Sequence, residues 1–346
     1  MKLFIILILA SYAISATISD YQLESQWENF KKKYDRKYLD AKEEAFRKGL
    51  FANTLKFVQK QNVRYDEGLE QFRLGITSLA DFTEEEKEKG SRSGRRIRSR
   101  LGQDFRDFSD IKVTDIKNAI DWRARGFMSK VKNQSTCGSC WAFSAIGAIE
   151  ARLNIKSKTS ELPTLSEQQI LDCSPIAAGD CKYGWIKKAL NYLYLNKGIN
   201  SDFDYKYEAK ANKSNCRYDK TKSVAKLIGY SSIPYYVKNK EHFLAKLVAT
   251  EGPVSAAIHI SKNDKKNFDK WKKTDIYETK ECAQTITKKK LNHAIVVAGY
   301  GSLNGKDYWL IKNSYGENWG DKGYMKLLRN GPMHCGIGLN VYYPIV

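Results

Sequence analysis

The chain predicts an α+β fold in which a mainly helical half precedes a half built from antiparallel strands. Three observations carry that reading. Ala142, Ile146, Ile149 and Leu153 recur at steps of four, three and four, which lines one face of a helix. From Leu227 onward the pattern changes to short apolar runs at 254–260, 294–299, 308–311 and 324–328, punctuated by Gly and Asn as antiparallel strands are. Ahead of both, Trp27, Phe30, Tyr34 and Tyr38 fall at three- and four-residue steps, and a longer periodic stretch runs from about 42 to 66. Together these predict a helical hairpin at the front of the chain.

The segments follow in order. Met1 and Lys2 precede an apolar run over 3–10, and small residues follow at Ala13, Ser15 and Ala16. That is the pattern of a secretory signal peptide over 1–16, too short for a membrane span. No later stretch is long and apolar enough to cross a bilayer, so the mature chain is expected to have no span. The 346 residues, 42% apolar, suffice for two modest domains and extra segments. The net charge is +20, and residues 116–346 hold 37 basic against 20 acidic side chains. The segment 84–115 carries runs of Glu and then Arg with Ser and Gly, a composition that buries little and suits an exposed, cleavable linker. A secretory leader argues against reading those arginines as a nucleic-acid contact. Lysines at 262, 265, 266, 270, 272, 273 and 288–290 form a dense basic region, read here as a solvated face.

Seven cysteines, at 137, 140, 173, 181, 216, 282 and 335, leave one thiol over if six pair, and six allow fifteen connectivities. Zinc is the competing reading of the Cys137/Cys140 pair, but no second Cys-x-x-Cys or nearby His completes a site. Cys140 opens the periodic apolar run at 142–153. A thiol there feels the positive end of the helix dipole, which favours the reactive thiolate.

The string Cys137-Gly138-Ser139-Cys140-Trp141 resembles the nucleophile block of papain-family cysteine proteases. The likeness recurs in separated blocks over nearly the whole chain and is most similar to the cathepsin L branch. It implies a papain-like two-domain fold with the cleft between a helical half (about 126–226) and a β half (about 227–346), an inhibitory propeptide over 17–115, and a peptidase over 116–346. Glu43, Arg47, Phe51, Val58 and Asn62 resemble the propeptide signature of that branch, with Thr54 and Val58 departing from it. Gly75, Thr77, Leu79 and Asp81 resemble the motif that follows, with Thr77 and Leu79 as departures. The disulfides it implies are Cys137–Cys181, Cys173–Cys216 and Cys282–Cys335, with Cys140 reduced.

Residue by residue, the resemblance implies Cys140 as nucleophile, His293 as its base and acid, Asn313 as the group orienting the imidazole, and Gln134 as an oxyanion donor. The family usually has Trp after the Asn-Ser pair; this chain has Tyr315, whose smaller ring and hydroxyl predict an altered rate or pH range. Trp319 is kept. Gly184 matches the position whose backbone pairs with substrate, while Tyr183 replaces a glycine there. Trp185, Ile186, Ala257, Leu291, Ala294 and Asn340 match the main side-chain pocket, which implies a hydrophobic residue two places before the cut. Plain core packing accounts equally well for Ala257 and Ala294. Asn212-Lys213-Ser214 is the better of two glycosylation sequons, a weak signal.

The expected activity is endoproteolysis by a secreted zymogen, extracellular or held in a lysosome or vacuole. The expected partners are protein and peptide substrates, the chain's own propeptide and cystatin-type inhibitors, with no metal, cofactor or nucleic acid, and a monomeric state. The rivals are an exopeptidase of the same family, for which no His-His insertion is found, and a catalytically weakened relative acting as a binding protein.

Overall fold

The computed structural model describes residues 20–67, 73–83, 86 and 118–346, except 160, 234–236, 238, 273–274, 285 and 331–333. The leader, most of the charged linker and the junction at 113–117 lie outside the described residues.

The front hairpin is α1 (Asp20–Lys33) and α2 (Ala41–Asp66). Asp40 caps α2 by accepting the Glu43 N–H, which supplies one of the partners a first helical turn lacks. The hairpin's own core is aromatic, with Trp27, Phe30, Phe51, Leu55 and Ala80 packed together and Tyr34 and Tyr38 against them. Thr54, a departure from the family signature, donates its hydroxyl to the Ala80 carbonyl at 3.0 Å. Val58, Leu74, Leu79 and Phe82 face the other way and join the large core of the β half. The hairpin is thereby docked on the rest of the chain.

A short strand β1 (Ile120–Asp121) leads into α3 (Cys140–Ser157), followed by α4 (Glu167–Cys173) and α5 (Ile186–Asn196). Strands β2 (Ile199–Asn200) and β3 (Ser223–Ala225) form a small separate sheet. The β half then runs β4 (Gly229–Ser232), α6 (Lys240–Thr250), β5 (Val254–Ile258), α7 (Lys262–Asp269), β6 (Ile276–Tyr277), β7 (His293–Leu303), β8 (Lys306–Lys312), β9 (Tyr324–Leu328) and β10 (Val341–Ile345). The strand order is β4-β10-β5-β7-β8-β9-β6, with β1 also on β7, and among the described residues only β6 and β9 pair in parallel. α3 is buried nearly all round, as a helix clamped between two halves must be. One side meets α5 and α4 in the helical core, and the other lies on β7.

The disulfides join Cys137 to Cys181, Cys173 to Cys216 and Cys282 to Cys335, and Cys140 is the free thiol. Most of the basic region is the solvated face expected, with Lys262, Lys266 and Lys288–Lys290 exposed, but two of its lysines depart from it. Residues 262–269 form α7, and Lys265 and Lys270 are 6% and 4% exposed. Lys265 is buried because Asp269, four residues on, accepts its ammonium at 2.5 Å.

A second buried charge cluster crosses the interface between the halves. Lys132 Nζ lies 2.9 Å from a carboxylate oxygen of Glu150 on α3 and 2.9 Å from one of Glu167 on α4. Ser129 donates to Glu150 at 2.5 Å, and Lys312 of β8 donates to the Ser129 carbonyl at 2.7 Å. Removing one member strands the others in a medium that does not solvate them. Glu150→Ala is therefore expected to cost about 3–5 kcal/mol, read as a lower denaturation midpoint, whereas an exposed change such as Lys158→Ala leaves the midpoint unmoved.

Candidate active site

Cys140 is the first residue of α3 and is wholly buried. The backbone N–H groups of Trp141 and Ala294 approach its thiol and favour the thiolate, but burial outweighs them and pushes the group up to about 11. Ala294 stands on β7 beside His293, so this contact brings the helix start against the strand that carries the imidazole. His293 is wholly buried too, and loss of solvent pushes it down to about 3.

Asn313 follows the end of β8 and faces His293 across the sheet, with its Oδ1 2.9 Å from Nε2. The same oxygen accepts the Ser314 N–H at 2.8 Å, which fixes which way the amide points. An amide oxygen can only accept, so His293 carries its proton on Nε2 and keeps Nδ1 as the basic nitrogen. Nδ1 is buried with no hydrogen-bond partner.

Gln134 is fully buried and held at both ends of its amide. Its nitrogen donates to the Cys137 carbonyl at 2.8 Å, and its oxygen accepts the Ser314 hydroxyl at 2.6 Å. The Gln134 backbone N–H also donates to the Ser314 carbonyl at 2.8 Å. The candidate oxyanion loop is thus tied to the residue beside Asn313.

Tyr315 stays against His293, with ring centroids 5.2 Å apart, and Trp319 meets Tyr315 edge-on at 5.9 Å. Phe268 of α7 completes this aromatic wall, edge-on to His293 at 5.5 Å. The Tyr315 hydroxyl is buried with no hydrogen-bond partner.

The residues matched to the side-chain pocket come together in part. Ile186, Ala257, Leu291 and Ala294 share one apolar cluster with Cys140, and Ala257 pairs with Ala294 across β5 and β7. Asn340 reaches it through its backbone, accepting the Ala257 N–H at 3.0 Å, and Trp185 is half-buried at the start of α5. Gly184 is explained by close approach, since a Cβ there would fall 2.0 Å from the Trp141 ring. Tyr183 is 49% exposed, and its carbonyl accepts the Asp180 N–H at the tip of the hairpin that Cys181 pins beside Cys137. Asn212 is exposed.

Several residues around the site went unread in the sequence. Tyr207 donates to the Gln134 carbonyl at 2.8 Å and shares a 2.6 Å hydrogen bond with Ser139, bracing both sides of the loop before Cys140. Ser314 and Phe268 serve Gln134 and His293. The front hairpin and the segment that follows it pack on this side of the β half. Thr77 donates to the Asp269 carbonyl at 2.8 Å, Ser78 to the Tyr315 carbonyl at 3.3 Å, and Lys270 lies over the Phe57 ring at 4.4 Å. Among the described residues one group has metal-ligand spacing, Cys282, His334 and Cys335, and its two sulfurs are joined to each other.

A buried thiol, an imidazole oriented by an amide, a side-chain amide beside them and a segment packed over the same face define a covered cysteine-hydrolase site. The chain belongs to the papain family of cysteine proteases: residues 116–345 match the family described as papain family cysteine protease, and residues 27–86 match the cathepsin propeptide inhibitor domain. Within that family it is cathepsin L-like and carries its own propeptide inhibitor. It is 37% identical to cathepsin S of Bos taurus, over 98% of this chain and 97% of that protein. It is 34% identical to digestive cysteine proteinase 1 of Homarus americanus, over 92% and 94%. Among solved structures, the digestive procathepsin L2 proteinase of the Tenebrio molitor larval midgut superposes with a TM-score of 0.77 at 36% identity, covering 94% of this chain and all of that one.

Burial holds the thiol and the imidazole neutral, with the thiol raised and the imidazole lowered, so both are uncharged across the neutral range in the covered chain. Uncovering returns water to both. Alkylation of Cys140 by iodoacetamide is expected to rise only far into the alkaline range in the proenzyme and to show a midpoint several pH units lower once residues 17–115 are removed. A stopped-flow pH series with mass-spectrometric assignment of the label checks it.

Proposed function

We propose that Cys140, His293, Asn313 and Gln134 carry the peptide hydrolysis of this protease. Cys140 attacks the scissile carbonyl as a thiolate paired with the His293 imidazolium. The oxyanion that forms is met by the Gln134 amide and the Cys140 backbone N–H at the start of α3. His293 gives its proton to the departing amine, which leaves a thioester. Water, deprotonated by the same imidazole, then releases the acid and the free thiol. Asn313 keeps the ring turned with Nδ1 toward the sulfur. The observation that carries this reading is the double hold on Asn313 Oδ1, from His293 Nε2 and the Ser314 N–H, because it leaves the other ring nitrogen buried and without a partner.

The domain reading is part of the same proposal: signal 1–16, propeptide 17–115 and endopeptidase 116–346, routed through the secretory pathway to the outside or to an acidic vesicle. Three disulfides suit that oxidising route. The apolar cluster of Ile186, Ala257, Leu291 and Ala294 beside Cys140 favours a hydrophobic residue two places before the cut. A cystatin-type inhibitor would enter the same cleft, and the enzyme would act as a monomer.

The test uses the proenzyme at mildly acidic pH, followed by mass spectrometry and by a fluorogenic dipeptide with a hydrophobic second residue. The wild type should trim near residue 116 and turn over the dipeptide. Cys140→Ala should do neither. Gln134→Ala should keep its fold and lose about a hundredfold to a thousandfold in kcat. Full turnover by Cys140→Ala, or by His293→Ala, would sink the assignment.

A further inference from the structure

The loop from Gln134 to Ser139 carries a candidate oxyanion donor at each end, the Gln134 amide and the N–H of Cys140, which follows Ser139. One hydroxyl from elsewhere in the chain touches both ends. A carbonyl oxygen only accepts, so the Tyr207 proton goes to the Gln134 carbonyl, 2.8 Å away. The phenol oxygen then accepts the Ser139 hydroxyl at 2.6 Å. The bridge runs one way, from Ser139 to Tyr207 to Gln134.

Ser139 stands where a different task is usual. It is the N-cap of α3, a position from which a serine oxygen commonly accepts an N–H of the first turn. Its hydroxyl makes no such bond, and the Ala142 and Phe143 N–H groups go to its carbonyl instead, at 2.8 and 3.2 Å. Its other contact is the Cys137 carbonyl at 3.4 Å, long for a hydroxyl donor. The Ser139 proton is therefore committed to Tyr207. Ser139 and Gln134 are both 0% exposed, so neither would exchange that bridge freely for water.

Tyr207 is itself fixed from outside the loop. Its ring meets Phe143 of α3 edge-on at 4.8 Å. Gln168 of α4 accepts the Glu208 N–H at 2.8 Å and donates to the Lys210 carbonyl at 2.7 Å. The segment that carries the hydroxyl is thus clipped to α4 rather than to the loop it braces.

We propose that Tyr207 is a positioning residue for the oxyanion: its hydroxyl, with Ser139, fixes the separation of the Gln134 amide and the Cys140 N–H so that both meet one oxygen. The inference rests on the reading of Gln134 as an oxyanion donor. The charge those donors meet exists only in the transition state, so the bridge acts on kcat and not on KM.

The experiment takes Tyr207→Phe, Ser139→Ala and the two together, each alone and combined with Gln134→Ala. All are matured from the full proenzyme, with Cys140→Ala carried through the same maturation as the blank. Either single cut should lower kcat on the dipeptide about fivefold to tenfold and leave KM within about twofold. The pair should lose no more than the larger single loss, because both cut one bridge. On top of Gln134→Ala neither cut should cost more than about twofold. Thermal melting identifies a variant that misfolds, and cuts at opposite ends of the bridge keep the test decisive if one does. Losses that multiply, in the pair or on top of Gln134→Ala, would overturn the proposal and leave Tyr207 a packing residue. Unchanged kcat in the folded single variants would overturn it too. Full kcat in Gln134→Ala itself would sink the oxyanion reading, and the proposal with it.

Discussion

The shared ammonium of Lys132 is the interaction on which the rest of the site depends. It stands two residues before Gln134 and bridges Glu150, on the helix that begins with Cys140, to Glu167 on the next helix. Lys312, immediately before Asn313, joins the same group through Ser129. Three segments that meet at the site, the helix that begins with Cys140, the loop of Gln134 and the strand end before Asn313, are therefore anchored to one buried charge network. Apolar packing would hold the two halves together, but it tolerates sliding. Buried ion pairs with satisfied hydrogen bonds do not, because each displacement exposes a charge to a medium that cannot solvate it. A small partly open cavity is lined by Lys132, Glu150, Glu167, Lys312 and Asn313 together with apolar residues of α3 and β7.

The propeptide hairpin uses the same economy of contacts. Among the described residues, the hydrogen bonds from the segment after it, at Gly75, Thr77 and Ser78, run to the backbone of Lys270, Asp269 and Tyr315. Tyr315 belongs to the wall around His293, and Asp269 and Lys270 directly follow its Phe268. One surface therefore supports the imidazole from behind and receives the inhibitor in front. Thr77, which departs from the family signature, makes one of the contacts, and its partner is a carbonyl that any residue would supply.

Most of the fold was legible because its signals are local. The apolar stripe after Cys140 became α3, the four apolar runs became β5, β7, β8 and β9, and the periodic stretch at 42–66 became α2. Within 262–270 Lys262 and Lys266 are exposed as expected, while Lys265 and Lys270 are buried for a physical reason. Lys265 turns to the inner face of a helix whose one large apolar residue is Phe268, and what buries these two lysines is an ion pair within the helix and the Phe57 ring of the propeptide. Neither follows from composition. Glu150 did carry a signal, since an acid inside an otherwise apolar helical run must find a partner, but nothing in the sequence says which lysine provides it. Tyr207 and Ser314 act through hydroxyl contacts that bring together positions far apart in the chain, and spacing is blind to those.

Tyr315 shows how such a departure is accommodated. The family's indole would shield the His293–Asn313 bond more broadly, yet the phenol ring keeps its place against the imidazole and still meets Trp319 edge-on. Its hydroxyl is the difference. It is buried without a partner, a condition that costs about 1–3 kcal/mol. Burial, and after it the negative field of Asp269, keeps that phenol protonated, so the substitution adds a dipole to the site and no charge. A neutral hydroxyl cannot compete with Asn313 for the Nε2 proton by ionising, so the tautomer with Nδ1 unprotonated is preserved. The smaller ring at the shielding position therefore costs shielded area and one unpaired hydroxyl, and leaves the orientation of the imidazole by Asn313 as it is.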